Sequence, residues 1–384
     1  MKKNKESKFT AIDLFCGAGG VTVGLKKAGF KVLVGVEIDK KIGQTFKVNH
    51  PDVNLIEEDI RNLNGKFILK KANIKHIDLV VGCPPCQGFS KLTDKWHRDD
   101  ERNNLILEMA RIIEEINPTA CMMENVFGLA HRGKSMLQEF INRLTNIGYN
   151  INWKIVQLAD FGIPQSRRRV VLFATKKLFV TFPKQKYYEN TIENKNKRKW
   201  KILKNVFDDS LKSYSLSNIM KKGSPKKFNW QVHSDLLEIT KKRLEACRPG
   251  GSRYDIPDKL KPKCHKNIKG FQNVYTRLSW YETPSTITSG FMRPCMGRFG
   301  HPSENRALSV REAALIQTFP KKYKFETDSV GLAGLMIGNA LPCEFARIAA
   351  NRIKTALKKI SKNKSFLKTA GEITATNLGT MKMF

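Results

Sequence analysis

A chain of 384 residues is long enough for one large core plus a second, smaller unit, and 41% hydrophobic residues favour a packed protein over a disordered one. Its 69 lysines and arginines stand against 35 acidic residues, a formal net charge of +34 that points to a polyanionic partner. No apolar run approaches the roughly 18 residues of a membrane span. Asp13 and the glycines after it interrupt the apolar start too early for a signal peptide, and eight cysteines without framework spacing suggest reduced thiols in a cytoplasm.

Taken in chain order, residues 9–15 read as a buried strand. A glycine-rich turn at 16–20, a short helix to 28 and a second strand at 32–36 complete a βαβ opening. Further strands are expected at 77–81, 119–123 and 170–174, with an intervening helix whose Leu105, Met109, Ile112 and Ile116 share one face. Such alternation implies a mostly parallel sheet covered by helices. Beyond about residue 180 the chain turns Lys/Asn-rich, as in NKNKRKWK at 194–201, and keeps little regular period to about 302. Helical pattern returns at 309–317 and 343–357, the tail beyond 358 reads as weakly ordered, and no internal repeat is evident.

Gly17, Gly19 and Gly20 follow the first strand, where small residues let a ligand approach the backbone and a helix N-terminus. Their spacing is not GxGxxG, and such glycines often serve a tight turn alone. Glu37, in GVEID at the end of the next strand, is placed to accept hydrogen bonds from ribose hydroxyls. Together they suggest a nucleoside-containing cofactor.

GCPPCQGFS at 82–90 follows an apolar strand, so its cysteines belong at the carboxyl end of the sheet, where ligands bind in open α/β folds. Half a zinc site, a redox CxxC and a single nucleophilic cysteine all fit that spacing. No second CxxC or His pair completes four zinc ligands, although Cys264 and His265 keep zinc open, and the redox reading lacks a compact thioredoxin-like setting. Cys86 is the better nucleophile, and Cys83 a small packed residue. Glu124 in CMMENV lies just beyond another strand, as an acid partner or a helix cap. In QSRRRV, Arg167 and Arg169 are two apart, so both can point to one side, or both can belong to a solvated basic strand.

In order, DLFCGAGG, GVEID, GCPPCQGFS, ENV, QSRRR, ALSVREAALIQTFP and GNALP resemble the motif series of the cytosine-5 DNA methyltransferases of bacterial restriction and modification systems. The resemblance spans nearly the whole chain except about 178–302, where that family carries its target-recognition region. It implies an α/β, Rossmann-like S-adenosylmethionine-dependent domain, discontinuous at 1–178 plus 330–384, with a small target-recognition domain at 179–329. Transfer of a methyl group to carbon 5 of a flipped cytosine would follow attack by Cys86 at carbon 6. Glu124 would hydrogen-bond the ring nitrogen and exocyclic amine, Arg167 would assist from the carbonyl side, and Arg169 would assist or organise the site.

Carried over residue by residue, cofactor contacts fall on Phe15, Gly17, Gly20, Glu37, Ile38, Asp59, Ile60, Pro85 and Asn339, and no metal is required. DNA contacts fall on Gln87, Ser90, Gln165, Thr286 and Ile287, of which isoleucine departs from the family's Thr-Leu element. The segment at 311–319 reads as a structural bridge between lobes. Implied partners are double-stranded DNA and a companion restriction endonuclease, with a monomer acting in a bacterial cytoplasm. A transfer-RNA cytosine-5 methyltransferase and a silent DNA-binding relative are the alternatives.

Overall fold

A computed structural model describes residues 9–85, 104–263 and 272–378, with side chains described to 362. Seven strands form the main sheet in the order β3-β2-β1-β4-β5-β7-β6, where β1 is Thr10–Leu14, β2 Lys31–Val36, β3 Asn54–Ile56, β4 Leu79–Gly82, β5 Ala120–Val126, β6 Asn150–Gln157 and β7 Arg168–Thr175. The strands from β3 to β5 are parallel, and β7 inserts antiparallel between β5 and β6. The carboxyl ends of β1, β2, β4 and β5 therefore share one edge with the start of β7, and Phe15, Glu37, Glu124 and Arg169 lie along it.

Apolar side chains cover both faces, which is why the central strands read as continuous hydrophobic runs. One face packs Ile12, Val80, Met123 and Leu172 under α4 (Leu105–Ile116) and α5 (Lys134–Asn146). The other packs Val81, Met122 and Phe173 under α1 (Gly20–Lys27) and α10 (Cys343–Leu378). α10 thus brings the end of the chain back beside its beginning. Gly24 makes the contact possible, since a Cβ there would lie 2.5 Å from the Ala346 Cβ and 2.6 Å from the Cys343 carbonyl.

Three elements between the expected strands add to the alternation of strand and helix: α2 (Lys40–Asn49), capped by the Asp39 carboxylate, β3, and α3 (Gly65–Ala72), capped by Asn64. β6, NINWKIVQ, was invisible to hydrophobic pattern because only Val156 of the strand is buried at this edge position.

The remaining segments build a lobe of short elements, among them β8 (Tyr214–Ser215), β9 (Val232–His233), β10 (Thr276–Arg277), β11 (Arg298–Gly300), α6 (Leu216–Lys222) and α7 (Glu238–Ala246). Its core gathers Trp230, Ile287, Phe291, Phe299 and Leu308 around α8 (Val310–Ile316) and α9 (Val330–Asn339), and it includes Ala18 and Val23 of the opening βα unit. SVRE gives α8 a capping box, Ser309 with Glu312, whose carboxylate also pairs with Arg306 in the interior. The 311–319 stretch therefore packs between the lobes.

Candidate active site

The turn after β1 is built from left-handed backbone. Phe15, Gly17 and Gly19 have φ of 57°, 53° and 90°, a conformation that costs a non-glycine residue of order 1 kcal/mol and so marks Phe15 as held in place. Gly19 is further restricted, because a Cβ would lie 2.4 Å from His50 Nε2 and 2.8 Å from the Tyr323 hydroxyl. His50 Nε2 lies 3.1 Å from that hydroxyl, and Tyr323 donates to the Ala18 carbonyl, so the turn is gripped from behind. The other side of Gly17 is open, with no atom within 4 Å of a would-be Cβ.

Glu37, at the end of β2, accepts from the Gly17 amide at 3.0 Å on one oxygen and from the Asp39 amide at 2.9 Å on the other. Each oxygen keeps a free lone pair, which suits a vicinal diol. Burial pushes its pKa up, partly offset by those two amides. Beneath the turn, Asp13 is 1% exposed, accepts the Thr22 hydroxyl at 2.6 Å and leaves Oδ1 without a partner. Desolvation raises its pKa to about 7. An open glycine cradle above a buried, incompletely satisfied carboxyl fits a cationic nucleoside ligand.

The other cofactor candidates distribute unevenly around this cradle. Ile38 is exposed beside Glu37, and Gly20 opens α1 against the Leu341 carbonyl. Asn339 is exposed at the end of α9, and Pro85 is the last described residue after β4. Asp59 is engaged by Arg61 at 2.7 Å, which holds its carboxyl below the usual range, and the Ile60 side chain belongs to the core rather than to the cradle.

At the next strand ends, Glu124 is 5% exposed and pairs with Arg169, Oε1 to Nε 2.9 Å. Adjacent Asn125, which the sequence reading left without a role, donates to the Pro84 carbonyl at 3.1 Å and so ties β5 to the turn leading to residue 86. Cys83 borders the same carboxylate. Burial and then the Glu124 charge push its thiol pKa well up, leaving it a poor nucleophile. Cys86, Gln87 and Ser90 lie outside the described residues, as do Cys264 and His265. Among the described residues no group of three or more His, Cys, Asp or Glu side chains is arranged to hold a metal ion.

Arg167 and Arg169 do not share a task. Arg167 is 2% exposed and donates to the carbonyls of Ile287 at 2.9 Å, Gly338 at 3.2 Å and Ala340 at 3.3 Å. It is a tie between lobes, and the arginine beside the acid is Arg169. The expected place of Arg167 at the reacting base is not what these contacts show: both terminal nitrogens bond backbone carbonyls, and its Nε is buried without a hydrogen-bond partner. Gln165 and Ile287, expected at the DNA, are both fully buried. Gln165 donates to Gln317 Oε1 at 2.7 Å and accepts the Ile287 amide at 3.3 Å, while Gln317 reaches the Ile337 carbonyl at 2.6 Å. Thr286 is half-buried, with its hydroxyl on the Ser166 carbonyl at 2.6 Å. Gln317, His50 and Tyr323 could not be singled out from sequence because their partners are distant along the chain.

The model of the family described as C-5 cytosine-specific DNA methylase matches residues 9–355. Type II methylase M.HgiDII of Herpetosiphon aurantiacus is 34% identical over 354 residues, covering 90% of this chain and 95% of its own. Type II methyltransferase M1.HphI of Haemophilus parahaemolyticus is 32% identical over 349 residues, covering 90% and 86%. Among solved structures, a prophage-encoded candidate DNA modification methyltransferase of Escherichia coli superposes with a TM-score of 0.68 at 22% identity, covering 91% of this chain and all of that one. At that identity the likeness speaks for the fold.

Proposed function

Because the chain belongs to the C-5 cytosine-specific DNA methylase family, and is thereby a DNA cytosine-5 methyltransferase, we propose that it works through a covalent Cys86 adduct steered by Glu124 and Arg169. We also propose that it is the modification partner of a restriction endonuclease, a reading supported by relatives named type II methyltransferases. A transfer-RNA substrate is disfavoured by those same names. The observation that carries the site assignment is the Glu124–Arg169 pair, held at the sheet edge beside the turn that leads into residue 86.

Carbon 5 of cytosine is a weak nucleophile until a thiolate adds to carbon 6. Cys86 forms that carbon–sulfur bond, and the ring's electron pair shifts to carbon 5. Glu124 hydrogen-bonds the ring nitrogen and exocyclic amine, offsetting the charge that builds up there. Arg169 orients the Glu124 carboxylate and offers its remaining donors to the pyrimidine carbonyl. After carbon 5 is alkylated, loss of its proton expels the Cys86 thiolate and restores the aromatic ring.

S-adenosylmethionine, when bound, supplies an electrophilic methyl group on a sulfonium. Gly17 would give it room, Gly20 would bring the start of α1 beside it, Glu37 would take the ribose hydroxyls, and the unpartnered Asp13 oxygen would lie beneath it. Phe15, Ile38, Pro85 and Asn339 would line the same cradle. The target base must leave the stack at a cost of a few kcal/mol, which contacts from the basic lobe offset. In this reading the catalytic unit comprises 1–178 and 330–384, and 179–329 carries target recognition.

The test is incubation with labelled S-adenosylmethionine and either genomic DNA or transfer RNA, followed by base analysis. Label in 5-methylcytosine of DNA at one short recurring sequence is the expected result. Label in RNA alone would overturn it.

A further inference from the structure

Between the sheet and the second lobe, residues 184–204 form a strap that carries eight lysines and arginines against two glutamates. Local hydrogen bonds fix its path. The Lys186 and Tyr187 amides both donate to the Asp160 carbonyl at 3.0 Å, and Trp200 Nε1 donates to the Asp160 carboxylate at 2.9 Å. Tyr188 and the 198–200 stretch exchange backbone hydrogen bonds at 2.8 Å, and Leu203 donates to the Glu282 carbonyl at 2.9 Å. Asp160 follows β6 at the same sheet edge as Arg169, and the strap's Lys201 carbonyl accepts from Thr283, near the Pro284 whose carbonyl accepts the Ser166 amide.

Four of its cations lie over tyrosine rings. Arg198 is 4.3 Å from the Tyr187 centroid, Lys201 5.9 Å from the same ring, Lys197 4.5 Å from Tyr188, and Lys204 5.6 Å from Tyr281. Among the described residues none of the four forms an ion pair with an acid. A cation resting on a ring face keeps its N–H donors available and loses less freedom when a ligand arrives. A solvated basic run would have neither the fixed backbone nor the ring platforms.

We propose that the 184–204 strap is a phosphate-binding strip that grips the DNA backbone beside the target base, with Lys197, Arg198 and Lys201 as its principal contacts. This rests on the reading of the chain as a DNA methyltransferase and adds to it a site that positions the duplex without reading bases. Each phosphate neutralised releases condensed counterions, so log K for duplex binding falls against log salt with a slope of about 0.9 per contact.

The experiment is duplex binding by fluorescence anisotropy across a potassium chloride series, for wild type, the triple variant K197A/R198A/K201A, and a control K66A/K70A/K71A on the far side of the sheet. For the strap variant the slope should fall by about 2 to 3, equally on duplexes with and without the target sequence. Arg198→Ala alone should lower it by about 1, a second reading independent of the triple variant's folding. A control that lowers the slope as much as the strap variant, or a strap variant with wild-type slope, would overturn the proposal. Binding needs no turnover, so a wild-type chain that binds duplex yet methylates nothing would sink the functional reading alone.

Discussion

Glu124 and Arg169 face each other across adjacent antiparallel strands, their side chains joined at 2.9 Å in a site almost closed to water. The pairing register puts Val126 opposite Arg169, so the guanidinium reaches back two residues to the acid. The arginine fixes the direction in which the acid points.

Arg169→Ala should therefore lower kcat by about 10²-fold or more, the usual effect of removing one preorganised donor, with little change in cofactor affinity. Single-turnover methylation and cofactor titration separate the two. An equal loss in both would mean that Arg169 supports the cofactor cradle instead.

Arg167→Ala should act on folding. The Ile287 and Gly338 carbonyls lose this donor while that of Ala340 keeps Gln317, and at roughly 1 to 3 kcal/mol per stranded buried group the loss should be about 2 kcal/mol or more. Urea denaturation measures it. Normal stability with a selective loss of turnover would return Arg167 to the chemistry.

Cys86→Ser should abolish methyl transfer while duplex binding survives, and Cys83→Ser should stay substantially active, because burial and the Glu124 charge keep the Cys83 thiol protonated. The opposite pattern in a methylation assay would reassign the nucleophile.

Asp13 makes stability depend on pH. Its folded-state pKa is raised from 3.8 to about 7, so the folded chain holds a proton that the unfolded chain releases between those values. The contribution is present below about 3.8 and is lost as pH rises toward 7, with a ceiling of roughly 4 kcal/mol. His50, lowered to about 4 by burial, works in the opposite sense between 4 and 6.5. Comparing wild type with Asp13→Asn isolates the acid: the variant should gain stability over wild type from pH 4 to 7, and parallel pH profiles would contradict the assignment.

Gly24→Ala should destabilise the chain by about 1 to 3 kcal/mol or more, since the added methyl would meet α10 backbone atoms at 2.6 and 2.7 Å. Thermal melting checks it. An unchanged melting temperature would show that α1 and α10 separate without cost.

The sequence by itself determined the opening βαβ unit, the buried central strands, the glycine turn with its acid, and the order of motifs that names the family. Each is written in local pattern: period, turn residues and a few short strings. Tertiary structure alone decided the rest. Three successive arginines, 167 to 169, have three fates: Arg167 is buried on carbonyls, Arg168 stacks 4.3 Å from the Phe127 ring, and Arg169 meets Glu124. Strand alternation explains why Arg168 points away from Arg169, but it cannot say that carbonyls 120 to 173 residues further on will claim Arg167. The same distance hid the burial of Gln165 and Ile287. A polar side chain looks identical in sequence whether it faces DNA or a backbone carbonyl, and only the packing of the lobes settles which.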